Sequence, residues 1–117
     1  MGIIQTGPGS ALAYASASGG KVYAFNTIST TPMTLVPANP NRQSITFHNP
    51  HASINMYVTQ ATDYNGTTII PGTGTLGGCF VIFPGNTLTL TGEVQKAWQG
   101  FSASGSNLPF TVLDSNT

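Results

Sequence analysis

The chain has 117 residues, only 5% of them charged, and its formal net charge is zero with neutral histidines. The charged residues are Lys21, Arg42, Lys96, Asp63, Glu93 and Asp114. Three scattered cations cannot neutralise a run of phosphates, which argues against sequence-independent nucleic-acid binding, and no apolar stretch approaches the roughly 20 residues of a membrane helix.

Residues 1–20 are the first predicted element, an extended N-terminal arm dominated by glycine, alanine and serine. Such arms are normally mobile unless they are tied down, and we expect another chain to hold this one. Residues 21–117 are predicted to be a single β-sandwich domain, because their number fits one domain with one core.

Short strands are predicted along the whole of this domain, because alternating apolar and polar residues are repeatedly interrupted by Gly, Pro and Asn. Asn65-Gly66 is the strongest turn signal and predicts that Thr67–Ile70 returns antiparallel. The run Cys79–Phe83 is apolar on both faces, which predicts a strand covered on both sides. The predicted strands are Lys21–Ile28, Thr34–Val36, Gln43–His48, Ile54–Gln60, Thr67–Ile70, Cys79–Phe83, Leu88–Leu90, Ala97–Ala103 and Phe110–Leu113.

This series of about eight to nine short antiparallel strands is typical of a β-sandwich or jelly roll. The fold class is therefore predicted to be all-β, with the arm at the N-terminus. Disorder is not expected, because 39% of the residues are hydrophobic and the strand formers Thr, Val and Ile are abundant.

Motifs for catalysis or cofactor binding lack the context that they need. Gly72–Gly77 matches the GxGxxG string of dinucleotide sites, but a strand follows it where that site needs a helix, so we interpret it as a hairpin loop. No G-x-S-x-G or H-E-x-x-H motif is present. The single cysteine, Cys79, cannot form an internal disulfide, and we interpret it as a buried small hydrophobe. We predict no enzyme activity, no catalytic residue and no cofactor.

Five residues are candidates for contacts with a neighbouring subunit. His48 and His51 have HxxH spacing, but no further ligand completes a zinc site. They are interpreted as exposed turn histidines, with an intersubunit metal site on a symmetry axis as the alternative; no metal site within the chain is predicted. Arg42 either hydrogen-bonds carbonyls at a strand end or anchors an interface, and Trp98 either packs in the core or anchors an interface. Tyr57 is the fifth candidate.

Several segments also resemble a known class of proteins. The first of these segments, Arg42–Asn49, has the pattern R-x-x-I-x-x-x-N. It is followed by Tyr57-Val58, by a predicted turn at Pro84-Gly85, and by the segment Ala97–Gly105 near the C-terminal end of the sequence. These motifs resemble small β-sandwich proteins and domains of tailed-bacteriophage virions. The resemblance spans about residues 39–113 and brings no catalytic residues with it. It implies a structural protein of the head decoration or cement type.

The resemblance implies that the protein binds the major capsid protein at the outer surface of the virion, after synthesis in the host cytoplasm. We also expect a homodimer or homotrimer, because closed symmetry is the rule for homo-oligomers and a net-neutral surface promotes association. No nucleic-acid or membrane partner is expected.

Two other functions are considered. The main alternative is a receptor- or carbohydrate-binding module of a phage fibre or a bacterial surface protein. Its ring faces would come from Tyr14, Tyr23, Tyr57, Tyr64 and Trp98. That function requires several of these aromatics to be exposed together on one surface. A head–tail connector or tail-tube role is a lesser variant, for which more charge would be expected.

Overall fold

The computed structural model describes residues 20–116, which form eight strands and no helix. The all-β prediction is therefore confirmed. The predicted arm lies outside the described residues except for Gly20. The strands are β1 (Lys21–Ile28), β2 (Met33–Val36), β3 (Ser44–His48), β4 (Met56–Gln60), β5 (Phe80–Ile82), β6 (Thr87–Thr91), β7 (Trp98–Ser102) and β8 (Leu108–Ser115).

The strands pair in a nested order. β1 pairs with β8, β2 with β7, β3 with β6 and β4 with β5, all antiparallel. These pairs alternate between two four-stranded sheets: sheet A has the order β1-β8-β3-β6, and sheet B has the order β2-β7-β4-β5. The chain is thus one long antiparallel ribbon folded across two sheets, which is the jelly-roll form of the β-sandwich.

The core lies between the two sheets and is built by strand alternation, which sends every second side chain inward. The Phe47 ring of β3 lies at its centre, 5.2 Å from the Trp98 ring and 6.2 Å from the Phe110 ring between centroids. Gly100 in β7 allows a close approach, because a Cβ there would lie 2.7 Å from Leu35 Cδ1 and 3.2 Å from the Tyr57 carbonyl oxygen.

The predicted antiparallel return after Asn65-Gly66 is confirmed, but it does not extend over Thr67–Ile70 as a strand. An isolated bridge joins Thr62 to Thr68, and the chain then continues as a loop to β5. Asp63 organises this turn, because its Oδ1 accepts the backbone N–H groups of Asn65 and Thr67, each at 2.9 Å. With its carboxylate bonded to these two N–H groups, the turn spans residues 63–67 and is not a two-residue Asn-Gly hairpin.

Strand β5 is also placed differently from the prediction. It is an edge strand of sheet B, not a strand covered on both sides. Phe80 is 44% exposed, Val81 39% and the following Phe83 56%. Consecutive apolar residues indicated full burial, but an edge strand has a neighbour on one side only, which leaves part of each side chain in solvent. The Gly72–Gly77 string lies in the loop before β5, as predicted.

Candidate docking face

Arg42 is completely buried, although it was a candidate interface anchor. Its guanidinium forms an ion pair with Asp114 of β8: Nε lies 2.8 Å from Oδ1, and Nη2 lies 3.3 Å from Oδ2. Nη1 donates to the carbonyls of Val94 and Lys96, and Nη2 donates to that of Pro37. The five N–H groups of the guanidinium are thereby all used. Arg42 therefore links the β2–β3 connection, in which it lies, to β8 and to the β6–β7 connection, and its side chain is not at the surface.

Trp98 is likewise a core residue and not a surface anchor. Its side chain is 1% exposed and packs against Phe47. Its Nε1 donates to the Val94 carbonyl at 3.2 Å, the same oxygen that accepts from Arg42. Of the two interpretations open for each residue, the structure therefore supports hydrogen bonding to carbonyls for Arg42 and core packing for Trp98.

The two histidines lie close in sequence but have separate local partners. His48 Nδ1 lies 2.8 Å from Thr87 Oγ1 across the β3–β6 pair. His51 Nδ1 accepts the backbone N–H groups of Ser53 and Ile54 at 3.1 and 3.2 Å, so its ring caps a turn. Across residues 20–116, no group of three or more His, Cys, Asp or Glu side chains is placed to hold a metal ion.

Asn49, between these histidines, ends the R-x-x-I-x-x-x-N pattern, and its structural role was not predicted from the sequence. It is 0% exposed, and its Nδ2 donates to the carbonyls of Ile54 and Ile82 at 2.8 and 2.9 Å. Its Oδ1 accepts the His51 N–H at 3.0 Å. The amide thus joins the end of β3 to the start of β4 and to β5, and the Asn-Pro dipeptide that follows β3 was the available signal.

The outer face of sheet B is partly covered by the chain itself. The loop between β4 and β5 folds back on it, because Gln99 Nε2 donates to the Ile69 carbonyl and the Ile69 N–H donates to the Ala61 carbonyl. Tyr57, the fifth candidate, is half-buried on this face with its ring centroid 5.2 Å from that of Phe101.

The outer face of sheet A is different, and we call it the threonine face. Since Ile45, Phe47, Phe110 and Val112 point into the core, alternation turns their neighbours outward. In register, Thr46 lies between Thr89 and Leu113, and His48 lies between Thr87 and Thr111. The threonine face consists of Val22, Ala24, Thr46, His48, Thr87, Thr89, Thr91, Thr111 and Leu113. One pair of its hydroxyls is hydrogen-bonded across strands, with Thr46 Oγ1 2.9 Å from Thr89 Oγ1.

No charged side chain belongs to the threonine face. Arg42 and Asp114 neutralise each other in the core. Lys96 of the β6–β7 connection donates through Nζ to the Asp63 carbonyl in the loop after β4 at 2.6 Å, and both residues are half-buried. Lys21 and Glu93 are exposed; Lys21 points to the opposite side of β1 from Val22 by alternation, and Glu93 lies beyond the end of β6. Among the described residues, the threonine face therefore consists of hydroxyl, imidazole and aliphatic groups alone.

Within residues 20–116, the aromatic residues considered for sugar binding do not meet on one surface. Tyr64 is 92% exposed in a loop, Tyr57 lies on sheet B, and Tyr23 packs against the core. Trp98 is buried, and Tyr14 lies outside the described residues.

Cys79 is half-buried immediately before β5, and burial raises the pKa of its thiol above the ordinary value. A raised pKa leaves less of the nucleophilic thiolate at neutral pH. Within residues 20–116 there is also no helix long and apolar enough to cross a membrane.

Comparisons of the chain with known protein families, with curated proteins and with solved structures return no match. What this protein does must therefore be inferred from its own residues.

Proposed function

We propose that this protein is a structural virion protein, a decoration or cement protein that binds the outer surface of a tailed-phage head and stabilises the joints between capsid subunits. The observation that carries the proposal is the uncharged threonine face of sheet A. The motif resemblance to phage virion proteins supports the same conclusion. The jelly roll is compatible with it but does not decide it, since the fold also occurs in lectin domains.

The threonine face is suited to lie against another protein because its burial leaves no charged side chain unpaired. Burying an unpaired ammonium or carboxylate is costly, whereas a hydroxyl can find a partner as donor or acceptor with little reorientation. A standard interface needs about 800 Å² from each partner. Repetition of such contacts over a shell then adds avidity without new contacts.

The partner proposed for this face is the major capsid protein, with further contacts between copies of this chain. In this proposal the protein is made in the host cytoplasm and resides on the outside of the virion. Its role is mechanical and requires no cofactor, metal ion or catalytic residue.

A charge placed on the threonine face tests the proposal. The variant Thr111→Lys is expected to bind capsids about tenfold more weakly or worse, because tenfold corresponds to about 1.4 kcal/mol and burial of an unpaired ammonium costs more. The measurement is the occupancy of undecorated heads at increasing protein concentration. The matched control is Thr34→Lys on β2, an exposed strand threonine outside this face, which is expected to bind like the unaltered protein.

Equal capsid binding by Thr111→Lys and the unaltered protein would remove the threonine face from the interface. For the receptor- or carbohydrate-binding alternative, the decisive observation is binding of the isolated protein to host cells or to a glycan array. No shared aromatic platform among the described residues favours that alternative.

A further inference from the structure

Strand β6 ends sheet A and carries a sequence that can pair with itself. Its far edge has no strand partner within residues 20–116. The strand reads Thr87-Leu88-Thr89-Leu90-Thr91, which is the same in both directions about Thr89. An antiparallel pair of two such strands places identical or equivalent residues opposite each other along the whole strand.

The usual protection of an edge strand is absent from β6. Edge strands commonly carry lysines, prolines or bulges that prevent pairing with another chain. No charged residue occurs between Asp63 and Glu93 in the sequence, and β6 pairs with β3 in continuous register over all five residues. Two copies that meet at this edge therefore bring no like charges together on the paired strands.

We propose that the β6 edges of two copies pair antiparallel about a twofold axis at Thr89, which joins the two A sheets into one eight-stranded sheet. The pairing is a property of the free subunit and does not depend on the virion role proposed above. Thr89 lies opposite Thr89 of the second copy, Leu88 opposite Leu90, and Thr87 opposite Thr91.

The register follows from symmetry and from the pleat. Residues directly opposite each other in an antiparallel pair lie on the same face of the sheet. A twofold axis perpendicular to the sheet also keeps every residue on its own face. An odd-numbered residue must therefore lie opposite an odd-numbered residue, and an even-numbered residue opposite an even-numbered one. Of the registers that meet this condition, the one centred on Thr89 pairs all five residues of the strand.

Contacts already present at this edge would extend across the axis. Thr46 and Thr89 share a hydrogen bond at 2.9 Å, so the row becomes Thr46-Thr89-Thr89-Thr46 across the two copies. Leu88 and Leu90 are half-buried and pack against the core, and pairing would cover the remainder of each side chain. Threonine pairs and apolar pairs across strands both stabilise a sheet.

Strand β5 adds apolar surface on the same side of the molecule. It ends sheet B as β6 ends sheet A, and the short turn at residues 83–86 joins the two strands. Phe80, Val81 and Phe83 are all more than a third exposed there. The association is therefore driven by apolar burial and backbone hydrogen bonds, and we expect it to change little with salt concentration.

Cysteine cross-linking of the full chain tests the register. In a Cys79→Ser background, Thr89→Cys is expected to form a disulfide-linked dimer under mild oxidation. Opposed residues have Cα atoms about 4.5–5.5 Å apart, within the roughly 4.4–6.8 Å that a disulfide spans. The matched control is Thr34→Cys on β2, the edge strand at the other end of sheet B, which is expected to form no disulfide-linked dimer although it still associates through β6. Equal cross-linking of the two variants, or none with Thr89→Cys, overturns the proposal.

A second variant reads out the association without oxidation. Thr89→Lys places two ammonium groups opposite each other at the axis and is expected to weaken dimerisation at least tenfold in sedimentation experiments, whereas Thr34→Lys leaves it unchanged. Circular dichroism shows whether each variant is folded. A folded Thr89→Lys protein that dimerises normally, or an unaltered protein that stays monomeric at high concentration, contradicts the proposed pairing.

Discussion

Replacing Arg42 with alanine is expected to lower the free energy of unfolding by about 3–5 kcal/mol, because removal of one partner leaves a buried charge uncompensated. The Asp114 carboxylate would lose both of its contacts with the guanidinium. The carbonyls of Pro37, Val94 and Lys96 would lose a donor as well. Since a domain is typically stable by only about 5–15 kcal/mol, the loss is a large fraction of the total. Urea unfolding measures it.

Two further variants separate the buried ion pair from charge in general. Lys21→Ala removes an exposed cation and is expected to change the unfolding free energy by no more than about 0.5 kcal/mol. Arg42→Lys keeps the positive charge but lacks the planar fork that bonds a carboxylate and three carbonyls together, so an intermediate loss is expected. If Arg42→Ala were as stable as Lys21→Ala, the ion pair would not contribute to stability as described.

Replacing Trp98 with alanine is expected to cost about 3–5 kcal/mol, the range found for truncation of a large buried aromatic side chain. The substitution removes the ring that packs 5.2 Å from Phe47 at the centre of the core. It also removes one of the two donors to the Val94 carbonyl. Thermal and urea unfolding both report the effect.

Trp98→Phe is the matched variant, since it keeps an aromatic ring beside Phe47 but loses the indole N–H. We expect a smaller loss of stability than for Trp98→Ala. An alanine variant with unchanged stability would contradict the placement of Trp98 in the core, and would return it to the surface as a candidate anchor.

The sequence predicted most of the strands because alternation is a local property. In β3, the inward Ile45 and Phe47 could be recognised from the residues beside them, and the structure confirms both as core. At Thr67–Ile70 the chain returns antiparallel as predicted but forms one bridge instead of a strand, and the Asp63 carboxylate accepts two backbone N–H groups of the turn. The prediction failed for the surroundings of β5, because an apolar run does not reveal whether its strand lies at the edge or the centre of a sheet.

The roles of single residues depended on contacts between distant parts of the chain. Arg42 meets Asp114 across 72 positions of sequence, so its two interpretations could not be separated before the strands were paired. The threonines of β6 were visible as a pattern, but their role was not. Only the pairing of β6 with β3 and of β3 with β8 brings Thr89, Thr46 and Leu113 onto one uncharged face.

The scarcity of charge acquires a specific meaning once the residues are placed. Of the six charged residues in the chain, Arg42 and Asp114 form a buried ion pair with each other. The remainder stand away from the threonine face and from the strand of β6. We therefore relate the low charge to two surfaces that can be covered, one proposed for the capsid and one for a second copy.

A cryo-EM reconstruction of a particle that carries this chain tests the proposed virion role most directly. We predict an eight-stranded sandwich on the outer surface of the head, repeated at subunit joints, with the threonine face of sheet A against the shell. Heads that lack this density, or particles that carry it only on a tail fibre, would contradict the proposal.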